Sequence, residues 1–197
     1  MNRWATLLIS FALAGGPAPA TEPAGMWLNV PFVAQVKNGC GAASIAMVMQ
    51  YWHRQQPGQP AIPSADEIQR ALYSQQARGI YASELERYLQ RYGYRTFAIR
   101  GDWTDLRQHL EKGRPLIVAL RAGNDDSHYV VVTGMDWQQD LVLKHDPAER
   151  PMLKQHRSDF ERQWKAAGNW TLLAVPGKAE APDQERVPDS EPQSPSP

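Results

Sequence analysis

Fourteen consecutive residues, "GCGAASIAMVMQYW" at 39–52, carry no charged side chain. Ile45, Val48, Met49 and Trp52 recur in this run at helical spacing, while Ala42, Ala43 and Ala46 are small enough for close packing. A helix that is apolar nearly all round cannot lie on a surface, so the rest of the chain has to wrap around it. The flanking sequence must therefore supply both more helix and a layer for this one to pack against.

Local signals mark those pieces. Ser64 and Glu67, Ser83 and Glu86, and Ser158 and Glu161 have the spacing of a capping box, in which a Ser side chain and a Glu three residues on satisfy each other's backbone N–H groups. Gly93, Gly113 and Gly168 follow helical runs as C-terminal stops. Helices are predicted at 65–77, 83–92, 104–112 and 158–167. The segments "YRTFAIR", "PLIVALR", "HYVVVTGMD", "LVLKHDP" and "NWTLLAVP" are short, β-rich and bounded by Gly, Asp, Asn or Pro, and are predicted strands. Trp27, ahead of "LNVPF", is expected to anchor an N-terminal strand. Helices first and then strands in meander order predict an α+β domain, a helical half packed on an antiparallel sheet.

The two ends of the sequence read differently from its middle. Residues 1–20 combine Arg3, an apolar stretch at 4–14 and Ala18 and Ala20 before Thr21, the pattern of a cleaved signal peptide. Residues 177–197 are rich in Pro, Ser and acid, with little to bury, and are expected to form a disordered tail. One folded domain is expected over 21–176, in an exported protein that is periplasmic or secreted and makes no membrane contact after signal cleavage. Lys plus Arg and Asp plus Glu number 21 each, and no basic stripe interleaved with aromatics occurs, which disfavours nucleic acid as a partner.

Cys40 is the single cysteine of the chain and stands at the start of the uncharged helix. As the lone cysteine it has no partner for an internal disulfide, and in a protein expected to be exported it is either a small buried hydrophobe or a reagent. A helix N-terminus and a nearby imidazole both favour the thiolate. Of the five His, His53, His109 and His156 lie on helical stretches among polar neighbours, the setting of solvated side chains. His128 opens an apolar strand directly after the polar loop "AGNDDS", a position suited to a general base and equally to a structural strand end. If strands 128–136 and 141–147 pair through their tight connection, His128 lies beside Asp146, which can orient it or simply form an Asp-Pro turn. His145 points to the opposite face of a regular strand. Gln35, five residues before Cys40, can offer its amide to an oxyanion alongside the Cys40 N–H, or be a surface side chain. The cysteine and histidines show no zinc-ligand spacing, and no cofactor is expected.

Taken together, "VPFVAQVKNGCGAASIAMVM", "HYVVVTGMD" and "HDP" resemble the C39-like branch of the papain-like cysteine peptidases, over about residues 28–175. The resemblance implies a papain-like fold with the Cys-bearing helix packed on an antiparallel sheet. It also implies a catalytic set of Cys40 as nucleophile, His128 as general base and then acid, Asp146 orienting His128, and Gln35 in the oxyanion hole. The better-known members are fused to ABC exporters and cleave leader peptides after Gly-Gly, whereas no transporter or nucleotide-binding motif occurs here, so the chain resembles the stand-alone secreted group. The expected activity is thiol-dependent hydrolysis of peptide bonds in a peptide or protein substrate. An amidase or transpeptidase acting on cell-envelope peptides, and an inactive peptide-binding module, are the competing expectations. The loop 122–127 is expected to line one wall of the groove.

Overall fold

The long uncharged helix forms as its composition demands. In the computed structural model, which describes residues 24–56, 61–121 and 127–177, it is α1 (Cys40–Gln55), and residues 41–49 are all buried. It is followed by α2 (Ala65–Leu72) and α3 (Ala82–Arg91), and with them buries Ile45, Met49, Ile68, Leu85 and Leu89 in one apolar cluster. The signal-peptide and tail readings, apart from Gly177, and positions 122–126 of the loop lie outside the described residues, as do 57–60.

Only one of the three expected capping boxes forms. Ser64 caps α2, its side chain accepting from the Glu67 N–H while the Glu67 carboxylate accepts from the Ser64 N–H at 2.8 Å. The helix beginning near Ser83 starts one residue earlier, with Tyr81 as its N-cap, so Ser83 is already inside the helix. The helix around Ser158 likewise starts at Arg157, and Glu161 is held by the Arg157 guanidinium at 3.0 Å instead. A box that escaped the sequence reading caps α4 (Trp103–Glu111), where Asp102 and Asp105 exchange bonds at 2.8 and 3.0 Å. The second predicted helix also stops early, at Leu72 rather than 77. The segment after it, "YSQQARG", has no apolar face to bury, and Ser74 and Gly79 pair across a tight turn. Gly93, Gly113 and Gly168 all have positive φ and end their helices as expected.

The strands assemble into one sheet, antiparallel in every pair. Its order is β2 (Tyr94–Arg100), β7 (Trp170–Pro176), β3 (Leu116–Leu120), β4 (His128–Asp136), β5 (Leu141–His145) and β6 (Leu153–His156). The stretch β3 to β5 is the expected meander, which an unpredicted β6 continues, but β7 is not at its end. Helix α5 (Arg157–Ala166) carries the chain back across the sheet, tied to β3 by the Arg121 N–H to Gln163 carbonyl bond, and delivers β7 between β2 and β3. Two strands are additional to the five predicted by pattern: β6, whose "LKQH" has little β character, and β1 (Gly25–Trp27), which holds the anticipated Trp27 and pairs with the far half of β4. That pairing needs Gly134, because a Cβ there would run into the Met26 carbonyl.

The sheet separates two cores. Ile117, Ala119, Tyr129, Val131, Leu172 and Ala174 face the cluster of α1 to α3. Val118, Val130, Val132 and Val142 face Leu106 and Leu110 of α4 and Phe160 and Trp164 of α5.

Candidate active site

Cys40 is the first residue of α1, delivered there by a sharp turn. Asn38 takes a left-handed φ of 57°, its carbonyl accepts from the Gln69 side chain of α2, and the Gly39 N–H closes onto the Val36 carbonyl at 2.9 Å. Gly39 is the N-cap and supplies no side-chain acceptor, so the N–H groups of the first turn stay available to a negative charge. Next to the thiol run the first residues of β4. His128 hydrogen-bonds the sulfur, and the backbone N–H groups of Tyr129 and Gly41 also point to it. Burial pushes the thiol up, but the His128 bond, these two N–H groups and the imidazole charge outweigh it and bring Cys40 below its ordinary value.

Pairing of β4 with β5 determines what lies on the other side of the imidazole. Val131 is opposite His145 and Val132 opposite Lys144, with a bulge at Thr133, so the start of β4 meets the turn that follows β5. There the His128 Nε2 and Asp146 Oδ1 are 2.6 Å apart. With Nε2 committed to the carboxylate, the sulfur bond falls to Nδ1. The imidazole thus bridges a thiol and a nearly buried carboxylate, its own side chain 31% exposed. Burial lowers its pKa, but the bonds to Asp146 and Cys40 and their charges reverse this and raise it to about 9. Asp146 is raised by burial and lowered more by the His128 bond and charge, by Lys144 and by the Ala148 N–H, ending at about 2. The two shifts run in opposite directions, the thiol down and the imidazole up, so each favours the charged form of the other.

Gln35 is brought to this turn by its backbone, whose N–H donates to the Pro147 carbonyl at 2.9 Å. Its Oε1 is buried without a hydrogen-bond partner among the described residues. His145 is a structural side chain: Nδ1 accepts from the Met152 N–H at 3.1 Å, so Nε2 carries the proton and donates to the Val30 carbonyl at 2.9 Å. Both nitrogens are used, and burial lowers its pKa. His53 lies in the last turn of α1, His109 in α4 and His156 at the end of β6, each on an element other than the strand that meets Cys40. No group of three or more metal-ligating side chains occurs among the described residues.

One residue of the site was passed over in the sequence. Lys144 is buried, and its ammonium is 3.2 Å from Asp146 Oδ2. The signal was a lone cation inside the apolar strand "LVLKH", two residues before Asp146 and so on the same side of the strand.

With the geometry in view, the chain can be placed among known proteins. No curated protein is similar enough in sequence to count as a relative. Among solved structures, a C39-like peptidase of Bacillus anthracis superposes with a TM-score of 0.63 at 19% identity, over 78% of this chain and 98% of that one. The peptidase domain of Streptococcus ComA, a bi-functional ABC transporter, gives 0.58 at 22% identity over 74% and 97%. Xylellain, a cysteine protease of Xylella fastidiosa, gives 0.54 at 13% identity over 78% and 86%. These likenesses establish the papain-like fold, with the helix that bears Cys40 packed on the sheet. The model of the Peptidase_C39 like family matches residues 27–172, and the chain belongs to that family of papain-fold cysteine peptidases.

Proposed function

We propose that the protein is an exported cysteine peptidase in which Cys40, His128 and Asp146 form the catalytic triad and Gln35 completes the oxyanion hole. The observation that carries this reading is the imidazole that hydrogen-bonds Cys40 on one side and Asp146, at 2.6 Å, on the other. The thiolate attacks the carbonyl carbon, an S–C bond forms, and the electron pair of the C=O moves to oxygen. The Cys40 N–H and the Gln35 amide receive that oxyanion. His128 gives its proton to the leaving nitrogen, the C–N bond breaks, and a thioester remains. His128, now neutral, takes a proton from water, which attacks the thioester; collapse of the second oxyanion releases the acid and the thiolate. Asp146 keeps the proton on Nε2 when Nδ1 is empty, so that Nδ1 is free to act as base.

The substrate class proposed is a peptide or protein. A double glycine motif protease from an AMS/PCAT transporter, similar in fold at 21% identity, was solved with a leader peptide bound, which supports a peptide ligand in a groove of this kind. Export rests on residues 1–20, and mass spectrometry of the mature N-terminus checks it, with Thr21 expected as the first residue.

The test of the enzyme reading is Cys40 alkylation against pH in the mature domain, beside His128→Ala. A free thiol becomes reactive through a pKa of about 8.5, whereas this one is expected to be reactive well below 7 and to lose that low-pH reactivity in the variant. A curve near 8.5 that ignores His128 overturns the triad. Where the pair is established, cleavage of a peptide library separates a peptidase from a binding module.

A further inference from the structure

Strand β5, "LVLKH", is buried at every position, and a lysine is the least expected member of such a run. By register Lys144 stands between Val132 of β4 and Leu153 of β6, and it is only 5% exposed. An ammonium taken out of water needs a partner, and among the described residues it finds Asp146 Oδ2 at 3.2 Å. The carboxylate is thereby divided. Oδ1 accepts from His128 Nε2 at 2.6 Å and from the Ala148 N–H at 3.1 Å, and Oδ2 from Lys144.

We propose that Lys144 is a positioning residue of the site, its ammonium holding Asp146 Oδ2 so that Oδ1 stays on His128 Nε2. This rests on the reading of His128 and Asp146 as the machinery of the reaction. The last torsion of an aspartate is broad, and the two bonds on Oδ1 leave the carboxylate free to tilt about that oxygen. A third bond, on Oδ2, fixes its plane. Lys144 has a second effect through charge. A cation beside Asp146 offsets part of the carboxylate's hold on the His128 proton, which the imidazolium must give to the leaving group. Among the described residues the titratable groups around the carboxylate are few: His128 on β4, Cys40 on α1 beyond it, and Lys144 itself on β5. His145 turns to Val30 and Met152, and Glu149 and Arg150 of the following turn and Lys154 of β6 are exposed.

The test is an NMR titration of the His128 ring in the unmodified protein and in Lys144→Met, which keeps the length of the stem and removes the charge. His128 titrates at about 9 with Lys144 in place. Its midpoint is expected to rise by about one pH unit in the variant, the size of change that a charge a few ångströms away produces. Lys144→Arg should return the midpoint toward the unmodified value. A role confined to packing would lower the melting temperature and leave the midpoint where it is, and that result overturns the proposal. Lys144→Gln keeps a donor for Oδ2 while removing the charge, so it should show the same rise and keep the downfield Nε2–H proton signal of the His128–Asp146 bond, which is expected to broaden or vanish in Lys144→Met; a signal equally intact in both variants overturns the positioning. The titration needs no peptidase activity, so it stands apart from the alkylation of His128→Ala: that experiment failing removes the reaction, this one failing removes Lys144's part in it.

Discussion

At the scale of single residues, the site is a chain of charges whose pH dependence follows from its pKa shifts. His128 is raised to about 9 against an ordinary value of 6.5, so its charged form is favoured by folding. The stability it contributes is full below 6.5 and is lost as pH rises through about 9. Asp146 is lowered from 3.8 to about 2, so its contribution is present above 3.8 and is lost as pH falls through about 2. Melting temperatures measured across pH are therefore expected to decline at both ends. On the proposed mechanism, peptide hydrolysis should fall at the basic end as well, because His128 would then have no proton to give the leaving group. If Asp146 orients His128 as proposed, Asp146→Asn is expected to drop kcat on the order of 10⁴-fold, the size of effect seen when the carboxylate of a catalytic triad is so replaced. On the proposed oxyanion role of Gln35, Gln35→Ala should cost about 10²- to 10³-fold in kcat with little change in melting temperature. Steady-state kinetics on a cleaved peptide separate these cases.

At the scale of elements, caps distinguish segments that look alike in sequence. Ser64 and Ser83 each precede a Glu by three residues, yet only Ser64 stands outside its helix and bonds back into it. Urea denaturation should show Ser64→Ala costing about 1 kcal/mol. Ser83→Ala, which loses no cap, should stay within about 0.5 kcal/mol. The difference arises from the residue before each helix. Tyr81 turns the chain into α3 at Ala82, and Ile80 beside it lies against the site where a side chain on Gly41 would go, so helix entry is set by packing rather than by the serine.

At the scale of the whole molecule, the two cores share one sheet. Tyr129 and Val131 face the cluster of α1 while Val130 and Val132, the alternate residues of the same strand, face the cluster that α4 and α5 share. A loss on the α5 side should therefore reach the thiol on the other. Trp164→Ala empties a position only 1% exposed and is expected to cost about 3–5 kcal/mol. Its unfolding by circular dichroism and the exposure of Cys40 to alkylation should shift together to lower denaturant, as cooperative unfolding requires. Separate midpoints would mean that the helical half stands alone.

Much of this protein is written locally. The uncharged run at 39–52 had to be a buried helix, the glycines at 93, 113 and 168 had to end helices, and β4 runs over the residues its pattern marks. The hairpin between β4 and β5 is also local, so the meeting of His128 and Asp146 could be read from strand pairing alone. What the tertiary structure decided is non-local. The strand β7 finds its place between β2 and β3 because α5 crosses the sheet, and "LKQH" becomes β6 because β5 offers it an edge. The Pro147 carbonyl holds the backbone of Gln35, a residue far from it in the sequence, and β4 and β6 close over Lys144 from either side. Periodicity reports what a segment must bury, because that is a property of its own side chains. It is silent about which partner arrives, because the partner is chosen by the path of the rest of the chain.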